Sequence, residues 1–151
     1  MRIYLDNCVL NRPFDDQTQE RIYLETQAFL ILLKYVEDGI IDLVTSVAND
    51  YENYKIKNIY RKEKIQSYFK LATFEIHFDE QIEMRSKELT KLGFIGIDAL
   101  HLACAEKAKV DYFVSCDDRL LERAKKNSHQ IRIKVVSLLK ILEVIYHVKN
   151  N

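Results

Sequence analysis

Short apolar runs recur along the chain, separated by polar or turn-forming residues. Each run has the length of a buried strand and is rich in β-branched and aromatic side chains. The predicted strands cover residues 2–5, 40–46, 74–78, 110–115 and 131–136.

Longer segments between these runs carry apolar residues three or four positions apart, which is the period of a helix. The predicted helices cover about residues 19–38, 48–59, 61–71, 80–92, 98–108 and 117–126, and a last helix follows Ser137 as its N-cap. Regular alternation of strands and helices predicts an α/β fold, a three-layer α/β/α sandwich with a mostly parallel central sheet. We expect one domain over residues 1–148, with residues 149–151 as a frayed tail.

Composition is that of an ordinary soluble domain, because 48% of the 151 residues are hydrophobic and 30% are charged. The formal net charge of zero gives no general support for a nucleic-acid partner, so a local basic patch would have to provide it. No apolar stretch is long enough to span a membrane and the N-terminus does not resemble a signal peptide, so we expect a cytoplasmic protein without a membrane partner. The three cysteines have no C-x-x-C spacing, which argues against a zinc site.

Acidic residues stand where the predicted strands end. Asp6 closes the first strand, Asp117 closes the fourth, and Asp98 opens a helix after a Gly-x-x-Gly segment. A fourth acid, Glu52, follows the second strand, with Asp50 as the alternative. Because ligands bind outside the carboxyl ends of parallel strands, we expect these carboxylates to meet in one crevice. Hard cations such as Mg²⁺ and Mn²⁺ prefer oxygen ligands and would offset the repulsion among them.

Four segments containing these acids resemble the PIN domain, a metal-dependent nuclease fold, and in particular the toxin ribonucleases of VapBC-type toxin–antitoxin modules. They are Tyr4-Leu5-Asp6-Asn7-Cys8, Thr45-Ser46 with Asp50-Tyr51-Glu52, Ile97-Asp98-Ala99-Leu100-His101-Leu102-Ala103, and Val114-Ser115-Cys116-Asp117. The chain departs from the family pattern at Asn7, where Thr or Ser is frequent, and at Ser115, where Thr is usual.

The resemblance implies a Mg²⁺- or Mn²⁺-dependent endoribonuclease that cleaves single-stranded or structured RNA. Asp6, Asp98 and Asp117 would bind the metal, and Glu52 would complete the catalytic set. It also implies a small antitoxin partner, whose arm often places an Arg near the carboxylates, and a possible homodimer. The alternative is a catalytically inactive PIN-like module that binds RNA or protein.

Several neighbouring residues are candidates for supporting roles. Asn7 would hold a metal-bound water and Ser115 would orient Asp117. Asp118 would cap the following helix or support the metal site, because one of the two adjacent acids is needed as a cap. His101 lies one helical turn after Asp98, where it would contact a phosphate or water or would simply be a hydrogen-bonded helix residue.

A basic patch interleaved with tyrosines is the candidate RNA-binding surface, since cations hold phosphates and aromatic rings stack on unpaired bases. Its cations are Lys55, Lys57, Arg61 and Lys62. The competing interpretation is a solvated helix face. Arg12, in the loop after the first strand, would reach the mouth of the active site.

Two other classes that begin with a strand and an Asp fit less well. A haloacid-dehalogenase-like phosphatase needs a second Asp at the position of Cys8. A receiver domain needs paired acids beside its first strand, and Asp6 has no acidic neighbour.

Overall fold

All 151 residues are described by the computed structural model, in which five parallel strands form one sheet. The strands are β1 (Arg2–Leu5), β2 (Asp42–Ser46), β3 (Phe74–Ile76), β4 (Tyr112–Ser115) and β5 (Lys134–Ser137). They lie in the order β3-β2-β1-β4-β5, so the chain begins in the middle of the sheet and extends it to both sides. The predicted α/β class and parallel sheet are confirmed.

Helices connect the strands and cover both faces of the sheet. They are α1 (Asn7–Asn11), α2 (Glu20–Glu37), α3 (Val47–Tyr54), α4 (Ile59–Phe69), α5 (Glu80–Lys91), α6 (Ile97–Lys107), α7 (Asp118–Lys126) and α8 (Leu138–Lys149), with a 3-10 helix at Arg12–Phe14. None of these helices is long and apolar enough to cross a membrane.

One short helix was missed, and the ends of several others differ from the sequence prediction. Helix α1 was missed, because five residues are too few to show a helical period. Helix α3 ends at Tyr54 rather than near residue 59, and α4 begins after Asn58, whose side chain accepts a hydrogen bond from the Arg61 N–H. Helix α8 includes Lys149, which was predicted to begin the frayed tail.

Alternating residues of β1 show how the sheet separates two hydrophobic cores. Ile3 and Leu5 pack on one side with α1, α2, α4 and α8, whereas Tyr4 packs on the other with α5, α6 and α7. Tyr4 also stacks on Phe113 of β4, with ring centroids 5.2 Å apart. Successive side chains of a strand point to opposite faces, so both faces are buried and the three layers are confirmed.

The strand register places three chain segments at one edge. Leu5 pairs with Val114, so Asp6 leaves β1 directly beside the end of β4. On the other side Tyr4 pairs with Val44, so β2 ends next to β1 as well and leads into α3. The carboxyl ends of the three central strands therefore meet, which is where a ligand site forms in a parallel sheet.

Candidate metal centre

Asp6 is buried at the end of β1 and is held by two neighbours. Its Oδ2 accepts a hydrogen bond of 2.8 Å from the Ser115 hydroxyl and a longer one of 3.4 Å from the Cys8 thiol. Its backbone N–H donates to the Val114 carbonyl at 2.9 Å. Burial raises the pKa of the Asp6 carboxyl above its ordinary value. Oδ1 accepts no hydrogen bond and remains available to a ligand.

Ser115 links two of the predicted acids. While its hydroxyl donates to Asp6, the same oxygen accepts a hydrogen bond of 3.0 Å from the Asp117 N–H. This fully buried side chain therefore fixes the position of the Asp117 backbone relative to the Asp6 carboxylate.

Glu52 depends on the way α3 starts. Ser46 caps the helix by accepting from the Ala48 N–H, and its own N–H donates to Asn49 Oδ1 at 3.0 Å. The Asn49 amide then donates to the Leu5 carbonyl and to Asn7 Oδ1, at 3.1 and 2.6 Å. These buried hydrogen bonds hold the first turn of α3 against the end of β1. Glu52, about one and a half turns after the start of the helix, therefore projects over the crevice.

A chain of hydrogen bonds across the core ends at Glu52. Ser46 Oγ lies 2.5 Å from the Tyr4 hydroxyl, which lies 2.6 Å from His101 Nδ1, and His101 Nε2 lies 2.5 Å from Glu52 Oε1. Burial raises the pKa of Tyr4 well above its ordinary value, so the phenol keeps its proton and can donate it to Nδ1. Because the Glu52 carboxylate can only accept, His101 carries a proton on Nε2 and donates it to Glu52.

The most compact group of possible metal ligands consists of Asp6, Glu52 and His101, whose ligand atoms all lie within 4.8 Å of one another. Asp50, the alternative second acid, faces elsewhere: partial burial and the charge of Glu75 on β3 raise its pKa. The structure thus brings Glu52, and not Asp50, to Asp6.

Asp98 faces the same crevice from the first turn of α6. Burial, reinforced by the negative charges of Asp6, Asp117 and Glu52, raises its pKa to about 6. The helix begins at Ile97, one residue earlier than predicted, and its N-cap is Gly96, with φ +51°. Asp98 is therefore not the cap, which removes the main structural explanation for an acid at this position.

Asp117, and not Asp118, caps helix α7. Asp117 is the N-cap of α7, and its Oδ1 accepts from the N–H groups of Arg119 and Leu120. Asp118 does not cap the helix but forms two hydrogen bonds of 2.7 Å with Arg21. The cap role predicted for Asp118 was therefore wrong, and its other predicted role, support of the metal site, stays a prediction. Oδ2 of Asp117 accepts no hydrogen bond and remains available to a ligand.

Arg12 was expected at the mouth of the site but is held by other carboxylates. It forms ion pairs of 3.1 Å with Asp15 and 3.3 Å with the buried Glu25. Asn7 is also bonded: its Oδ1 accepts a hydrogen bond from the Asn49 side-chain amide, and its own amide nitrogen donates to the Asn49 carbonyl. These contacts join α1 to α3, and the role of Asn7 in holding a metal-bound water stays a prediction.

Cations of the predicted RNA patch already have local partners. Lys55 lies over the ring of Tyr51 and Lys62 over that of Tyr54, at 4.2 and 4.9 Å from the centroids. Arg61 donates to Asn11 Oδ1 at 2.7 Å. Lys57, in the segment between α3 and α4, is exposed.

Sequence reasoning missed Tyr4 and Asn49. Tyr4 reads as an ordinary strand residue, yet a fully buried tyrosine hydroxyl needs a partner, and that requirement was the available signal. Asn49 gave only the local signal of a capping box with Ser46, because its other partners, the Leu5 carbonyl and Asn7, come together only in the folded chain.

The donors in the crevice suit a hard divalent cation. Asp6, Glu52, Asp98 and Asp117 offer only carboxylate oxygens, and Mg²⁺ and Mn²⁺ prefer oxygen ligands. Burial is the main cause of the raised pKa of Asp98, and the charges of Asp6, Asp117 and Glu52 add to it, so a bound cation would relieve the repulsion among these carboxylates. His101 Nε2 donates to Glu52 in the neutral tautomer, so we assign it to orientation of that carboxylate and not to the ligand set.

Comparison with protein-family models finds no match, and comparison with curated proteins finds none at a significant level. Solved structures do match over almost the whole chain. FitAcB from Neisseria gonorrhoeae aligns with a TM-score of 0.57 at 19% identity, over 91% of this chain and 98% of that chain. The chain has the fold of a VapC-type PIN domain.

Two further structures share this PIN-domain fold. VapBC-1 from nontypeable Haemophilus influenzae aligns with a TM-score of 0.54 at 15% identity, over 92% of this chain and 99% of that chain. VapBC2 from Rickettsia felis, bound to a DNA fragment from their promoter, aligns with a TM-score of 0.52 at 17% identity, over 91% and 98% of the two chains. The resemblance inferred from four short segments is thus confirmed for the fold.

Proposed function

We propose that this protein is a Mg²⁺- or Mn²⁺-dependent endoribonuclease that cleaves single-stranded or structured RNA and acts as the toxin of a toxin–antitoxin pair. The observation that supports it best lies at the carboxyl edge of the PIN-type sheet, where ligand atoms of Asp6 and Glu52 lie within 4.8 Å of each other and the charges of Asp6, Asp117 and Glu52 act on Asp98. Burial, together with the negative charges of these neighbours, raises the pKa of Asp98 to about 6, and perturbed carboxyl groups of this kind are typical of functional sites.

Asp6, Asp98 and Asp117 would hold the cation, and Glu52 would complete the site. A bound Mg²⁺ or Mn²⁺ would supply Lewis-acid chemistry, activating water for attack and neutralising charge on the phosphodiester. Asp6 Oδ1 and Asp117 Oδ2 accept no hydrogen bond in the protein, and both residues have their other oxygen bonded. Each of these two carboxylates therefore has one oxygen held by the protein and one oxygen available to a ligand.

Residues behind the carboxylates would keep the site in order. Ser115 positions Asp6 and the Asp117 backbone together, and His101 positions Glu52. Such contacts behind metal ligands typically change metal affinity or activity tenfold to a hundredfold when they are removed.

A covalent mechanism has no suitable nucleophile at this edge. Cys8 is the nearest thiol, but its contact with Cys116, its burial and the charge of Asp6 raise its pKa well above the ordinary value. A protonated thiol is a poor nucleophile, so direct hydrolysis fits the site better.

A cleavage assay with three variants tests the proposal. Asp98→Asn and Glu52→Gln should each abolish Mg²⁺- or Mn²⁺-dependent cleavage of single-stranded RNA, whereas Asp50→Asn should leave it unchanged. Asp50 is the matched control because it lies on the same helix but faces β3. Activity that survives in Asp98→Asn would show that this acid is not catalytic, and a wild type that binds RNA without cleaving it would favour the inactive binding module.

We also propose a small antitoxin as the protein partner, with an arm that places an Arg beside the carboxylates. The support is the shared fold with the VapBC structures. An antitoxin encoded beside the toxin should copurify with it and inhibit its cleavage of RNA. A homodimer is a further proposal, which sedimentation analysis of the purified protein would test.

A further inference from the structure

A groove of about 1250 Å³ opens beside the acidic crevice. One wall is the α5–α6 connection, residues 92–96, together with Ile97 at the start of α6, and the other is helix α7. Asp98 and Asp117 line the same groove. Any chain lying along it would therefore pass the proposed metal ligands.

Three cations of α7 line this groove, namely Arg119, Arg123 and Lys126. They are four and three residues apart, so they lie on one face of the helix and are spread over about 10 Å of its length. All three are exposed, and none forms an ion pair or a side-chain hydrogen bond within the protein. The cations of the patch at residues 55–62 differ in this respect, because Arg61, Lys55 and Lys62 contact groups of the protein itself.

Arg123 reaches the opposite wall of the groove because Gly93 has no side chain there. Gly93 has φ +101°, and a Cβ built on it would overlap Nη1 of Arg123. The guanidinium thus lies against the Gly93 backbone, directed across the groove. A charged group that is placed this way without a carboxylate partner is available to an anionic ligand.

The negative residues of the groove are largely accounted for. Asp118 is paired with Arg21, and Asp98 and Asp117 belong to the proposed cation site. Glu122 is the one acid in the lining with neither role. With the cation bound, the groove presents three free positive charges against one negative charge.

An apolar surface faces these cations. Ile95 is 76% exposed at the tip of the α5–α6 connection, between the positive-φ residues Gly93 and Gly96. A base can pack against this exposed aliphatic side chain while the neighbouring phosphates contact the cations of α7.

We propose that a single RNA strand reaches the carboxylates along this groove, with its phosphates on Arg119, Arg123 and Lys126 and a base against Ile95. The inference rests on the proposed nuclease function and adds the path of the substrate. A nucleic acid fits better than an acidic protein segment, because it carries both the phosphates that the three cations bind and a base that packs on Ile95. Its phosphodiester is also the group that the proposed cation at the end of the groove would receive.

Two neighbouring lysines provide a matched test. Lys126 lines the groove, whereas the adjacent Lys125 does not, and both are exposed and unpaired. Binding of a fluorescent single-stranded oligoadenylate is measured against salt concentration in chelator, so that the RNA stays intact. Each phosphate contact contributes about 0.7 to the slope of log affinity against log salt. Lys126→Gln should therefore lower the slope by about 0.7, and the triple variant that also carries Arg119→Gln and Arg123→Gln should lower it by about 2. The control Lys125→Gln should leave the slope unchanged.

Cleavage of the same RNA in Mn²⁺ provides the second measurement. The triple variant should raise KM with kcat little changed, because the cations bind substrate without touching the reacting atoms. Ile95→Ser should weaken binding without changing the salt slope. Equal slopes for wild type and the triple variant would overturn the proposal.

The outcomes separate this proposal from the nuclease function. Cleavage by the wild type together with unaltered binding by the triple variant refutes the groove and leaves the function intact. Reduced binding by the triple variant in a protein that never cleaves RNA supports the groove and refutes the function. If the triple variant loses binding of a fluorescent hexaglutamate peptide and keeps binding of RNA, the groove belongs to a protein ligand and the proposal is wrong.

Discussion

His101 Nε2 and Glu52 Oε1 are joined by a hydrogen bond of 2.5 Å, although the two residues lie 49 positions apart in the chain. The imidazole is fully buried, and the Tyr4 hydroxyl on its other nitrogen fixes its orientation. His101 therefore acts on the carboxylate from inside the core and not as a phosphate ligand. Its orientation, and with it that of Glu52, depends on a tyrosine of the central strand.

The first prediction concerns Tyr4. Tyr4→Phe removes the donor to His101 Nδ1, so the proton of the neutral ring is no longer restricted to Nε2. We expect ¹⁵N NMR to show an Nε2–H tautomer in the wild type and a mixture in the variant. The buried partners left unsatisfied should cost about 1–3 kcal/mol of stability, and RNA cleavage should fall.

Tyr112→Phe is the control for this substitution, because the Tyr112 hydroxyl makes no hydrogen bond in the protein. It should change neither the tautomer nor the stability. A wild-type spectrum that shows the Nδ1–H form would refute the proposed direction of the hydrogen bonds.

The second prediction concerns pH. Asp98 has its pKa raised from 3.8 to about 6, so in metal-free protein the folded state holds this proton more tightly than the unfolded state. Stability should therefore fall as pH rises from about 4 to about 6, by about 1 kcal/mol once solvent screening of the half-buried group is allowed for. Asp98→Asn should remove this component from denaturation curves measured across that range.

The affinity for metal should depend on the protonation of Asp98 as well, since a carboxylate binds a cation only when it is deprotonated. Mn²⁺ binding measured by calorimetry should weaken as pH falls below about 6. An affinity that stays constant between pH 5 and pH 7, within the range set by the raised pKa of Asp98, would mean that this residue is not a ligand.

The third prediction uses metal and thermal stability together. Mn²⁺ at a hundredfold excess over Kd should stabilise the wild type by about 2.7 kcal/mol. Asp6→Asn and Asp117→Asn remove part of the repulsion among the acids, so without metal they should keep or raise the melting temperature. Each should respond much less to Mn²⁺ than the wild type does.

Asp50→Asn should keep the full response to Mn²⁺ in the same melting experiments. An equal shift for the wild type and for both site variants, or no shift in any of them, would show that the four acids do not form a metal site.

The fourth prediction concerns the start of α3. Asn49→Ala removes buried hydrogen bonds to the Ser46 N–H, the Leu5 carbonyl and Asn7. Chemical denaturation should show a loss of about 2–4 kcal/mol. Asn49→Asp keeps the acceptor for the Ser46 N–H and loses both donors, so an effect confined to the alanine variant would mean that the bonds to β1 and Asn7 contribute little.

The fifth prediction concerns the patch at residues 55–62. Replacing Lys55, Lys57, Arg61 and Lys62 together with Ala should flatten the salt dependence of RNA binding if the patch contacts phosphates. Because Arg61 is bonded to Asn11, we expect a slope change below the value of about 2.8 for four free contacts. An unchanged slope would identify the patch as a solvated helix face.

The sequence by itself determined the fold class and located the acids. Apolar runs of strand length, alternating with helical periods, were enough for a parallel α/β sheet, since both faces of such a sheet must be buried. Asp6 and Asp117 could be placed because they stand one and two residues after the ends of β1 and β4, and a strand end fixes where the following residues lie.

Only the tertiary structure decided which acids and cations face the site. Asp50 and Glu52 are two residues apart on one helix and point in different directions, and the choice between them depends on His101 and Tyr4, which lie far away in the chain. Arg12 and Arg123 differ only in whether folding brings a carboxylate to the guanidinium. Local pattern carries no information about such partners, because hydrogen bonds and ion pairs between distant segments form only when the sheet register and helix packing bring those segments together.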